Sequence, residues 1–252
     1  MLAQLVSIAL DAGELILGIY RSDAFAARAK EDGSPVTEAD AAAEALILQR
    51  LHALEPDTPI IAEEEAAGGR IPNAAPRFFL VDPLDGTKEF LNRNGDFTIN
   101  IALIEQGEPV LGVVYAPAHG VIYAGETGAG ARSATVTRGK LGAWRPIQAR
   151  APCASGLSVV ASRSHMSAET SAFVARFAVA DMVSAGSSLK FCRVASGEAD
   201  LYPRLGRTME WDIAAGHAVL AAAGGDVKTL AGAALTYGKP GFDNPHFVAS
   251  AA

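Results

Sequence analysis

The segment from Phe78 to Thr87 joins an apolar strand to an acidic turn, and it constrains the fold more than any other part of the chain. It reads Phe-Phe-Leu-Val and then Asp-Pro-Leu-Asp-Gly-Thr. A short apolar run bounded by turn residues predicts a buried strand. Pro83 fixes one backbone torsion and Gly86 permits a sharp turn. We therefore expect a sheet with Asp82 and Asp85 at a strand end.

This turn has the chemistry of a metal site. It can direct the carboxylates of Asp82 and Asp85 and the carbonyl oxygen of Leu84 to one side. Such hard oxygen donors suit Mg²⁺, which prefers octahedral oxygen coordination shared with a substrate phosphate. Because Asp, Pro and Gly also dominate ordinary turns, the hexapeptide alone leaves a metal site and a plain turn open.

Three other acidic positions are candidates for the same site. Glu63-Glu64-Glu65 follows a predicted strand and is either cation-binding or a solvated acidic loop. Asp40 stands three residues after Thr37 at a helix start, where the pair resembles a capping box. Asp212 precedes an Ala-rich helix, where it is either an N-cap or a metal ligand beside a helix N-terminus that favours anions.

The chain of 252 residues alternates helical and strand patterns, which predicts a mixed α/β fold with layers of helix and sheet around a shared core. We expect an N-terminal half over 1–135 and a C-terminal half over 136–252 in one compact unit. Helices are predicted over Met1–Tyr20, Glu38–Leu54, Ser167–Phe177, Leu189–Ala195 and Asp212–Ala223. Strands are predicted over Pro59–Ala62, Phe78–Val81, Thr98–Ile104, Pro109–Tyr115, Val121–Ala124 and Leu157–Ala161, and a surface loop over Ala66–Arg77.

Composition excludes several classes of protein. A formal net charge of −7 lacks the basic footprint of a protein that binds nucleic acid polymers, but it allows a small anionic substrate. Cys153 and Cys192 match no metal-ligand spacing and suggest thiols in a reducing, cytoplasmic compartment. The apolar N-terminus lacks a basic leader and is interrupted by Asp11 and Glu14, so we expect an amphipathic helix, with no transmembrane segment in the chain.

Taken together, the acidic positions resemble the inositol monophosphatase superfamily, the lithium-sensitive metal-dependent phosphatases. That family has an acidic pair after a strand, then Asp-Pro-Ile/Leu-Asp-Gly-Thr, then a distant Trp-Asp before a helix, and this chain has all three in order. The resemblance covers essentially the whole chain and is closest to the bacterial 3'(2'),5'-bisphosphate nucleotidases. The passages that carry it are Lys30–Asp40, Phe79–Tyr115 with the more specific Lys88–Gly95, Ser162–His165, Gly186–Cys192 and Leu201–Arg204.

The resemblance implies a layered αβαβα sandwich of the inositol monophosphatase and fructose-bisphosphatase type, with two to three Mg²⁺ ions per site. One Mg²⁺ would be held by Glu63, Asp82 and the Leu84 carbonyl, and a second by Asp82, Asp85 and Asp212. A third, weaker ion would lie near Glu63. Glu64 is the alternative to Glu63 as the ligand if the alignment of the acidic run slips by one. The implied catalytic residues are Asp40, Thr87 and Glu63, of which Asp40 and Thr87 orient and help deprotonate the attacking water.

The resemblance also implies a substrate. Inositol monophosphatases have a Glu that contacts a sugar hydroxyl where this chain has Arg204, and a guanidinium suits a second phosphate. The implied reaction is hydrolysis of the 3'-phosphate of adenosine 3',5'-bisphosphate, and of 3'-phosphoadenylyl sulfate, in the nucleotide recycling of sulfur assimilation. The implied substrate-binding residues are Gly86, Thr87, His165, Ser187, Lys190, Arg204 and Asp212.

Two other functions stay open from the sequence. The same motifs occur in phosphatases of inositol 1-phosphate and fructose 1,6-bisphosphate. A non-catalytic nucleotide sensor could keep the fold, although this chain retains every implied metal ligand and Thr87. The sequence leaves a monomer and a homodimer, and peripheral contact with the inner membrane, as alternatives.

Overall fold

The protein, represented by a computed structural model, is described over residues 1–22, 27–29, 35–73, 75–152, 155–161 and 167–251. Within these ranges it forms seven α-helices and a short 3₁₀ helix over Pro240–Phe242. The α-helices are α1 (Leu2–Tyr20), α2 (Glu38–Leu54), α3 (Glu63–Ala67), α4 (Thr87–Leu91), α5 (Ala168–Val174), α6 (Leu189–Ala195) and α7 (Glu210–Ala222).

The strands of the described residues form a small hairpin and two large sheets. The hairpin pairs β1 (Ala27–Ala29) with β2 (Pro35–Thr37). The first large sheet contains β3 (Ile60–Ala62), β4 (Arg77–Asp85), β5 (Thr98–Glu105), β6 (Glu108–Ala116), β7 (Val121–Glu126), β8 (Gly130–Thr137), β9 (Lys140–Leu141) and β10 (Arg145–Ile147). The second contains β11 (Leu157–Ala161), β12 (Val179–Ser184), β13 (Leu201–Arg204), β14 (Gly225–Thr229) and β15 (Phe247–Ala251).

The first sheet has the order β10-β8-β7-β6-β5-β4-β3, with β9 paired to β8. Its strands are antiparallel except for the parallel pair β3 and β4. The second sheet has the order β12-β11-β13-β15-β14, in which β11 runs parallel to both of its neighbours. Short hairpins connect β5 through β8, whereas α3 lies in the crossover between the parallel pair, as a parallel connection requires.

Helices cover and separate these sheets in five layers. Helices α1 and α2 pack on one face of the first sheet, and α7 packs on its other face. Helices α6 and α7 lie between the two sheets, and α5 packs on the second sheet at β13. The main apolar cluster joins both sheets through α6 and α7, and a second cluster joins α1 and α2 to the first sheet. The predicted αβαβα sandwich is confirmed.

Helix α1 is the one described helix that is long and apolar enough to cross a membrane, and half of that span is buried inside the protein. Leu5, Ala9, Ala12 and Ile16 have no exposed surface and pack in the cluster shared with α2. Since its apolar face is already covered by this core, α1 acts as the amphipathic core helix that the sequence predicts.

Helix α7 lies unusually close to the first sheet because glycines line their contact. Gly112 and Gly125 are paired across β6 and β7. A Cβ atom at Gly112 would lie 2.4 Å from the carbonyl oxygen of Ala215, and one at Gly125 would lie 2.7 Å from the Cα of Val219. The two glycines therefore leave the space that the α7 backbone occupies, and they set the distance between this helix and the strands.

Several predicted boundaries are wrong in detail. Glu63-Glu64-Glu65 is the first turn of α3, which extends into the segment predicted as a loop. Strand β4 does not stop at Val81 but continues through the acidic motif to Asp85. Helix α7 begins two residues before Asp212, which is therefore not its N-cap. The chain leaves the first sheet at Ile147, where β10 ends, and enters the second sheet at Leu157, where β11 begins. The division of the chain into halves at residue 135 stays a prediction.

Candidate active site

The acidic residues meet at one end of the first sheet because of strand register. Strands β3 and β4 are parallel, and Ala62 is paired with Val81. Glu63 and Asp82 directly follow these two paired residues, so their carboxyl groups lie close enough for the charge of Glu63 to raise the pKa of Asp82. The Asp82 side chain is 1% exposed, and its Oδ1 accepts a hydrogen bond of 3.0 Å from the Leu84 backbone N–H.

The irregular end of β4 separates the two aspartates of the motif. Register against β5 shifts between Asp82 and Asp85, which face Asn100 and Thr98 respectively. Gly86 follows with φ of 94° and begins the turn into α4. A Cβ atom there would lie 2.3 Å from the Ser187 hydroxyl oxygen, so both the left-handed torsion and the close approach require glycine.

Helix α7 brings Asp212 to the same place from the other side of the first sheet. Asp212 lies in its first turn, where Oδ2 accepts a 2.8 Å hydrogen bond from the Met209 backbone N–H. The Asp212 carbonyl oxygen accepts a 2.7 Å hydrogen bond from the Ser188 hydroxyl. The side-chain amide of Asn100 lies 3.5 Å from this carbonyl oxygen and also 3.5 Å from Asp85 Oδ2. Asn100 therefore connects the β4 motif to α7.

Asp40 and Thr87 form a hydrogen-bonded pair beside these carboxylates. The Thr87 hydroxyl donates to Asp40 Oδ1 at 3.2 Å and lies 3.4 Å from the Leu84 carbonyl oxygen. Asp40 Oδ2 accepts from the backbone N–H of Thr37 at 2.8 Å and from its hydroxyl at 2.6 Å. The predicted capping box at the start of α2 is confirmed, and the same carboxylate also reaches the site through its other oxygen.

Burial and mutual repulsion raise the pKa values of the clustered aspartates. Burial raises the pKa of Asp82 well above its usual range, and the nearby charges of Glu63, Asp85 and Asp212 raise it further. Burial likewise raises the pKa of Asp212, with added repulsion from Asp85 and Glu63. The pKa of Asp85 rises to about 6 because burial outweighs the opposing charge of Lys190. Protein cations thus offset only part of this negative charge.

A cavity of about 140 Å³ opens next to the carboxylates. It is lined by Asp85, Gly86, Glu89, Ser187, Lys190, Phe191, Tyr202, Arg204, Thr208, Asp212 and Ile213. Lys190 is only 6% exposed, and burial lowers its pKa to about 8 against the attraction of Asp85. Its ammonium lies 5.5 Å from the ring centroid of Tyr202. One cavity therefore holds carboxylates on one wall and a desolvated cation on another.

Arg204 supplies a second cation to this cavity. One terminal nitrogen of its guanidinium donates to the Arg207 carbonyl oxygen at 3.1 Å. Its Nε is buried and has no hydrogen-bond partner among the described residues. A buried N–H without a partner is costly, so an anionic group bound in the cavity would satisfy it.

The structure gathers most of the predicted site residues. Asp40, Glu63, Asp82, Leu84, Asp85, Thr87 and Asp212 are linked by hydrogen bonds or by mutual electrostatic interaction, and Gly86, Ser187, Lys190 and Arg204 line the cavity with Asp85 and Asp212. The Ser187 hydroxyl lies 2.8 Å from the carbonyl oxygens of both Asp85 and Asp96, so it is engaged by the main chain. His165 and the rest of Ser162–His165 lie outside the described residues, as does Cys153, whereas Cys192 is a buried free thiol.

The donor set at the end of β4 fits a hard divalent cation. Its atoms are carboxylate and carbonyl oxygens, which are the ligands that Mg²⁺ prefers. In the described part of the chain, no three His, Cys, Asp or Glu side chains are already grouped to hold a metal ion. Burial and then mutual repulsion raise the pKa values of Asp82, Asp85 and Asp212, and a cation held among these carboxylates would relieve the repulsion.

Three polar contributors to the site, Asn100, Ser188 and Glu89, are not predicted from the sequence. Asn100 interrupts the apolar run of β5, and a buried amide within such a run is a signal that could have been noticed. Ser188 and Glu89 give no comparable signal, because serine and glutamate are ordinary at helix starts and on helix surfaces. Their positions become evident only from the packing of α6 and α4 around the cavity.

Comparison with known proteins decides the family. The model of the inositol monophosphatase family matches residues 1–250. The chain belongs to the inositol monophosphatase family. Among curated members of that family, it is 45% identical over 252 residues to the 3'(2'),5'-bisphosphate nucleotidase CysQ of Escherichia coli K12, which covers 98% of each chain.

Solved structures of the inositol monophosphatase family have the same fold. The crystal structure of CysQ from Bacteroides thetaiotaomicron matches with a TM-score of 0.82 and 36% identity, over 99% of this chain and 96% of that chain. The inositol monophosphatase of Anabaena sp. PCC 7120 matches with a TM-score of 0.77 and 27% identity, over 99% and 89% of the chains. The predicted resemblance is confirmed over the full length.

Proposed function

We propose that this chain is a Mg²⁺-dependent 3'(2'),5'-bisphosphate nucleotidase that converts adenosine 3',5'-bisphosphate to AMP and phosphate. The full-length similarity to curated CysQ proteins carries this proposal. A second substrate is 3'-phosphoadenylyl sulfate, because the 3'-phosphate that is hydrolysed is common to both nucleotides. The reaction places the protein in the recycling of nucleotides during sulfur assimilation, within the cytoplasm.

Mg²⁺ would be held by Glu63, Asp82, the Leu84 carbonyl oxygen, Asp85 and Asp212. Two to three ions would be held by this set, and Li⁺ would inhibit by occupying a weak metal site. When bound, the ions lower the pKa of a coordinated water and neutralise charge on the transferring phosphoryl group. The register of β3 and β4 brings Glu63 next to Asp82, which supports Glu63 over Glu64 as the ligand.

Asp40 and Thr87 orient the attacking water in this proposal. The Thr87 hydroxyl proton is directed at Asp40 Oδ1, so the oxygen of Thr87 is free to accept a hydrogen bond from water. Thr37 holds the other oxygen of the carboxylate, which fixes the direction of Asp40. The Asp40 carboxylate thereby draws the Thr87 proton away, and Thr87 accepts a proton from the attacking water as the new oxygen–phosphorus bond forms. The bond from phosphorus to the ribose 3'-oxygen breaks in the same displacement, and the 3'-oxygen takes a proton from solvent water.

The second phosphate of the nucleotide is bound by the cationic wall of the cavity. Lys190 provides a buried ammonium, and Arg204 provides the unpartnered Nε–H. Gly86 and Ser187 would contribute through the backbone, since the Ser187 hydroxyl is already engaged. Asp212 and His165 are the remaining residues that we propose to bind the substrate. A substrate with only one anionic group would leave Lys190 and Arg204 without a phosphate to bind.

A phosphate-release panel tests the proposal. The purified chain with Mg²⁺ is given equal concentrations of adenosine 3',5'-bisphosphate, 3'-phosphoadenylyl sulfate, inositol 1-phosphate and fructose 1,6-bisphosphate. We expect the two nucleotides to have the highest kcat/KM. Faster turnover of inositol 1-phosphate would transfer the assignment to the other activity that is represented among the solved structures.

The panel also separates an enzyme from a nucleotide sensor. A sensor would bind adenosine 3',5'-bisphosphate in a calorimeter without releasing phosphate. In an enzyme, Asp85→Asn should remove nearly all Mg²⁺-dependent turnover, because the variant loses a charged metal ligand. An unchanged rate in Asp85→Asn would remove Asp85 from the mechanism. The choice between monomer and homodimer, and any peripheral membrane contact, stay predictions.

A further inference from the structure

Glu44 is a buried carboxylate that contacts the acidic run from a different helix. It lies on α2 and is 4% exposed. Its Oε2 accepts a 2.7 Å hydrogen bond from the backbone N–H of Glu64, and its Oε1 accepts a 2.9 Å hydrogen bond from that of Glu65. Both oxygens of one side chain are thus occupied by consecutive backbone groups twenty residues away.

These two N–H groups are the ones that a helix cap normally satisfies. Helix α3 begins at Glu63, so Glu64 and Glu65 are its second and third residues. An N-cap side chain usually accepts hydrogen bonds at these positions. The N-cap of α3 is Ala62, which has no such side chain. Glu44 takes the place of the missing cap, and its two oxygens fix the orientation of the first turn.

A buried carboxylate is an energetically costly group with which to cap α3. Burial of Glu44 removes it from water, and Glu64 and Glu65 place further negative charge beside it. A neutral serine or asparagine at residue 62 would cap α3 with less repulsion. The carboxylate provides instead two fixed acceptors on a rigid helix, which hold the backbone of the acidic run more firmly than a single cap.

Helix α2 supports two parts of the site from one face. Asp40 and Glu44 are four residues apart, and both are buried. Side chains with this spacing lie one above the other on a helix. Asp40 directs the Thr87 hydroxyl, and Glu44 holds the turn that carries Glu63. The distance between the water-orienting pair and the first carboxylate of the metal site is therefore set by one turn of α2.

We propose that Glu44 is a positioning residue that holds Glu63 in the orientation required for divalent-cation binding. The inference rests on the proposed role of Glu63 as a ligand. Glu44 does not line the cavity, and both of its oxygens are engaged by backbone N–H groups. It acts through the backbone of Glu64 and Glu65, as outer partners of metal ligands do when they restrict the ligand's freedom.

The decisive variant is Glu44→Gln, which keeps the size of the side chain. An amide has one acceptor oxygen, so its NH₂ group faces the second backbone N–H and repels it. We expect the dissociation constant for Mn²⁺, measured from the free-ion signal in electron paramagnetic resonance, to rise about tenfold or more. The Mg²⁺ concentration for half-maximal kcat should rise in parallel. At saturating Mg²⁺, the KM for adenosine 3',5'-bisphosphate should change less than about twofold, since the nucleotide cavity is not altered.

Asp200→Asn is a matched control. Asp200 is a buried carboxylate that accepts a 2.7 Å hydrogen bond from the Ser158 backbone N–H and pairs with Arg150 at 2.8 Å. It lies at the second sheet, away from the acidic run. We expect Asp200→Asn to lower the melting temperature but to leave Mn²⁺ affinity unchanged. This contrast separates positioning of Glu63 from a general loss of stability.

The outcomes distinguish the two proposals. Unchanged Mn²⁺ affinity in a folded Glu44→Gln would overturn the role of Glu44. If that variant does not fold, Glu44→Asp, whose shorter side chain withdraws the carboxylate from the two N–H groups, is measured in the same assay, and wild-type affinity there overturns the inference. Wild-type protein that binds Mn²⁺ but hydrolyses no bisphosphate nucleotide contradicts only the proposed substrate. Wild-type protein that binds no Mn²⁺ overturns both the ligand set and the role of Glu44.

Discussion

The hydroxyl of Thr87 is the smallest group on which the proposed chemistry depends. Because it donates to Asp40 at 3.2 Å, it can accept a proton from water only while that hydrogen bond is present. We expect Thr87→Ala to lower kcat about 100-fold or more, as loss of a proton-transfer partner does. The KM should change little, since Thr87 is not among the cavity-lining residues. Steady-state phosphate release at saturating Mg²⁺ measures both values.

Thr87→Ser provides the comparison. It keeps the hydroxyl and removes only a methyl group, so we expect kcat within about tenfold of wild type. If Ser and Ala variants lost activity equally, the methyl group and its packing would matter more than the proton, and the Asp40–Thr87 route would be wrong.

Arg204 should decide preference for a second phosphate. Its Nε has no partner among the described residues, and a charge-assisted hydrogen bond to phosphate contributes about 1.5–3 kcal/mol. We expect wild type to prefer adenosine 3',5'-bisphosphate over 3'-AMP, and Arg204→Gln to lose roughly 10- to 100-fold of that preference. The ratio of kcat/KM for the two substrates is the measurement.

Arg204→Lys is the matched variant for this test. It keeps the charge but loses the planar fork of the guanidinium. An intermediate preference would assign part of the effect to charge and part to geometry. Equal loss of activity toward both substrates in Arg204→Gln would mean that Arg204 does not contact the 5'-phosphate.

At the scale of elements, sequence patterns predicted the long helices and the strand core well. Helix α2 and strand β11 have the predicted bounds, because each has a clear periodicity and clear terminal residues. The acidic run was predicted as a strand end and forms α3 instead. Three adjacent glutamates carry no apolar pattern, and the cap that starts this helix comes from Glu44 on α2, which local sequence cannot reveal.

The candidate site also combines residues that the sequence predicts with contacts that only the tertiary structure reveals. Asp82, Asp85 and Asp212 stand in recognisable motifs, so the sequence predicts them. The engagement of the Ser187 hydroxyl by two main-chain carbonyls depends on how α6 meets the β4 motif across the molecule. Such contacts arise from tertiary packing alone, so the sequence indicates Ser187 as a substrate-binding residue without showing that its hydroxyl is already engaged.

The contact between α7 and the first sheet gives a prediction at this scale. A methyl group at Gly112 would meet the Ala215 carbonyl oxygen at 2.4 Å and the Ala218 Cβ at 2.6 Å, both on α7. Because the α7 backbone can move away from this methyl group only at a cost in packing, we expect Gly112→Ala to destabilise the fold by about 1–3 kcal/mol. Urea unfolding followed by circular dichroism gives this difference.

Gly18→Ala is the opposite case within the same protein. Gly18 lies inside α1, and an added Cβ would have nothing within 4 Å. Alanine there should stabilise the protein by roughly 0.5–1 kcal/mol, because the unfolded chain loses freedom and the helix gains propensity. Similar effects of both substitutions would show that α7 does not depend on the glycine pair for its close approach.

At the scale of the whole molecule, the site lies where the two sheets are joined. Strand β4 supplies Asp82 and Asp85, and the first residue of α3 supplies Glu63, whereas α6 and α7 supply Lys190 and Asp212. The hydroxyls of Ser187 and Ser188 connect these groups across the junction. Stability of the layered core and geometry of the site are therefore linked, and conditions that loosen the core should also affect the site.

His217 makes that core sensitive to acid. It lies on α7 with 6% exposure, and its Nδ1 is 2.9 Å from the Tyr237 hydroxyl. Burial lowers its pKa from 6.5 to about 4, against the partial opposition of Asp226. Between these values the unfolded chain binds a proton that the folded protein does not. The contribution of neutral His217 to the free energy of unfolding is therefore fully present above pH 6.5 and is lost as the pH falls toward 4.

His217→Asn tests this linkage, since its side-chain oxygen can take the place of Nδ1 beside Tyr237 but does not titrate. In urea titrations without Mg²⁺, we expect wild type to lose about 2 kcal/mol more than the variant between pH 7.5 and 5. The variant should be less stable at pH 7.5, because asparagine leaves space in the core, and the two stabilities should converge as the pH falls. Other acidic groups titrate equally in both proteins, so parallel pH profiles would show that His217 becomes protonated in the folded state and that the core at α7 admits water.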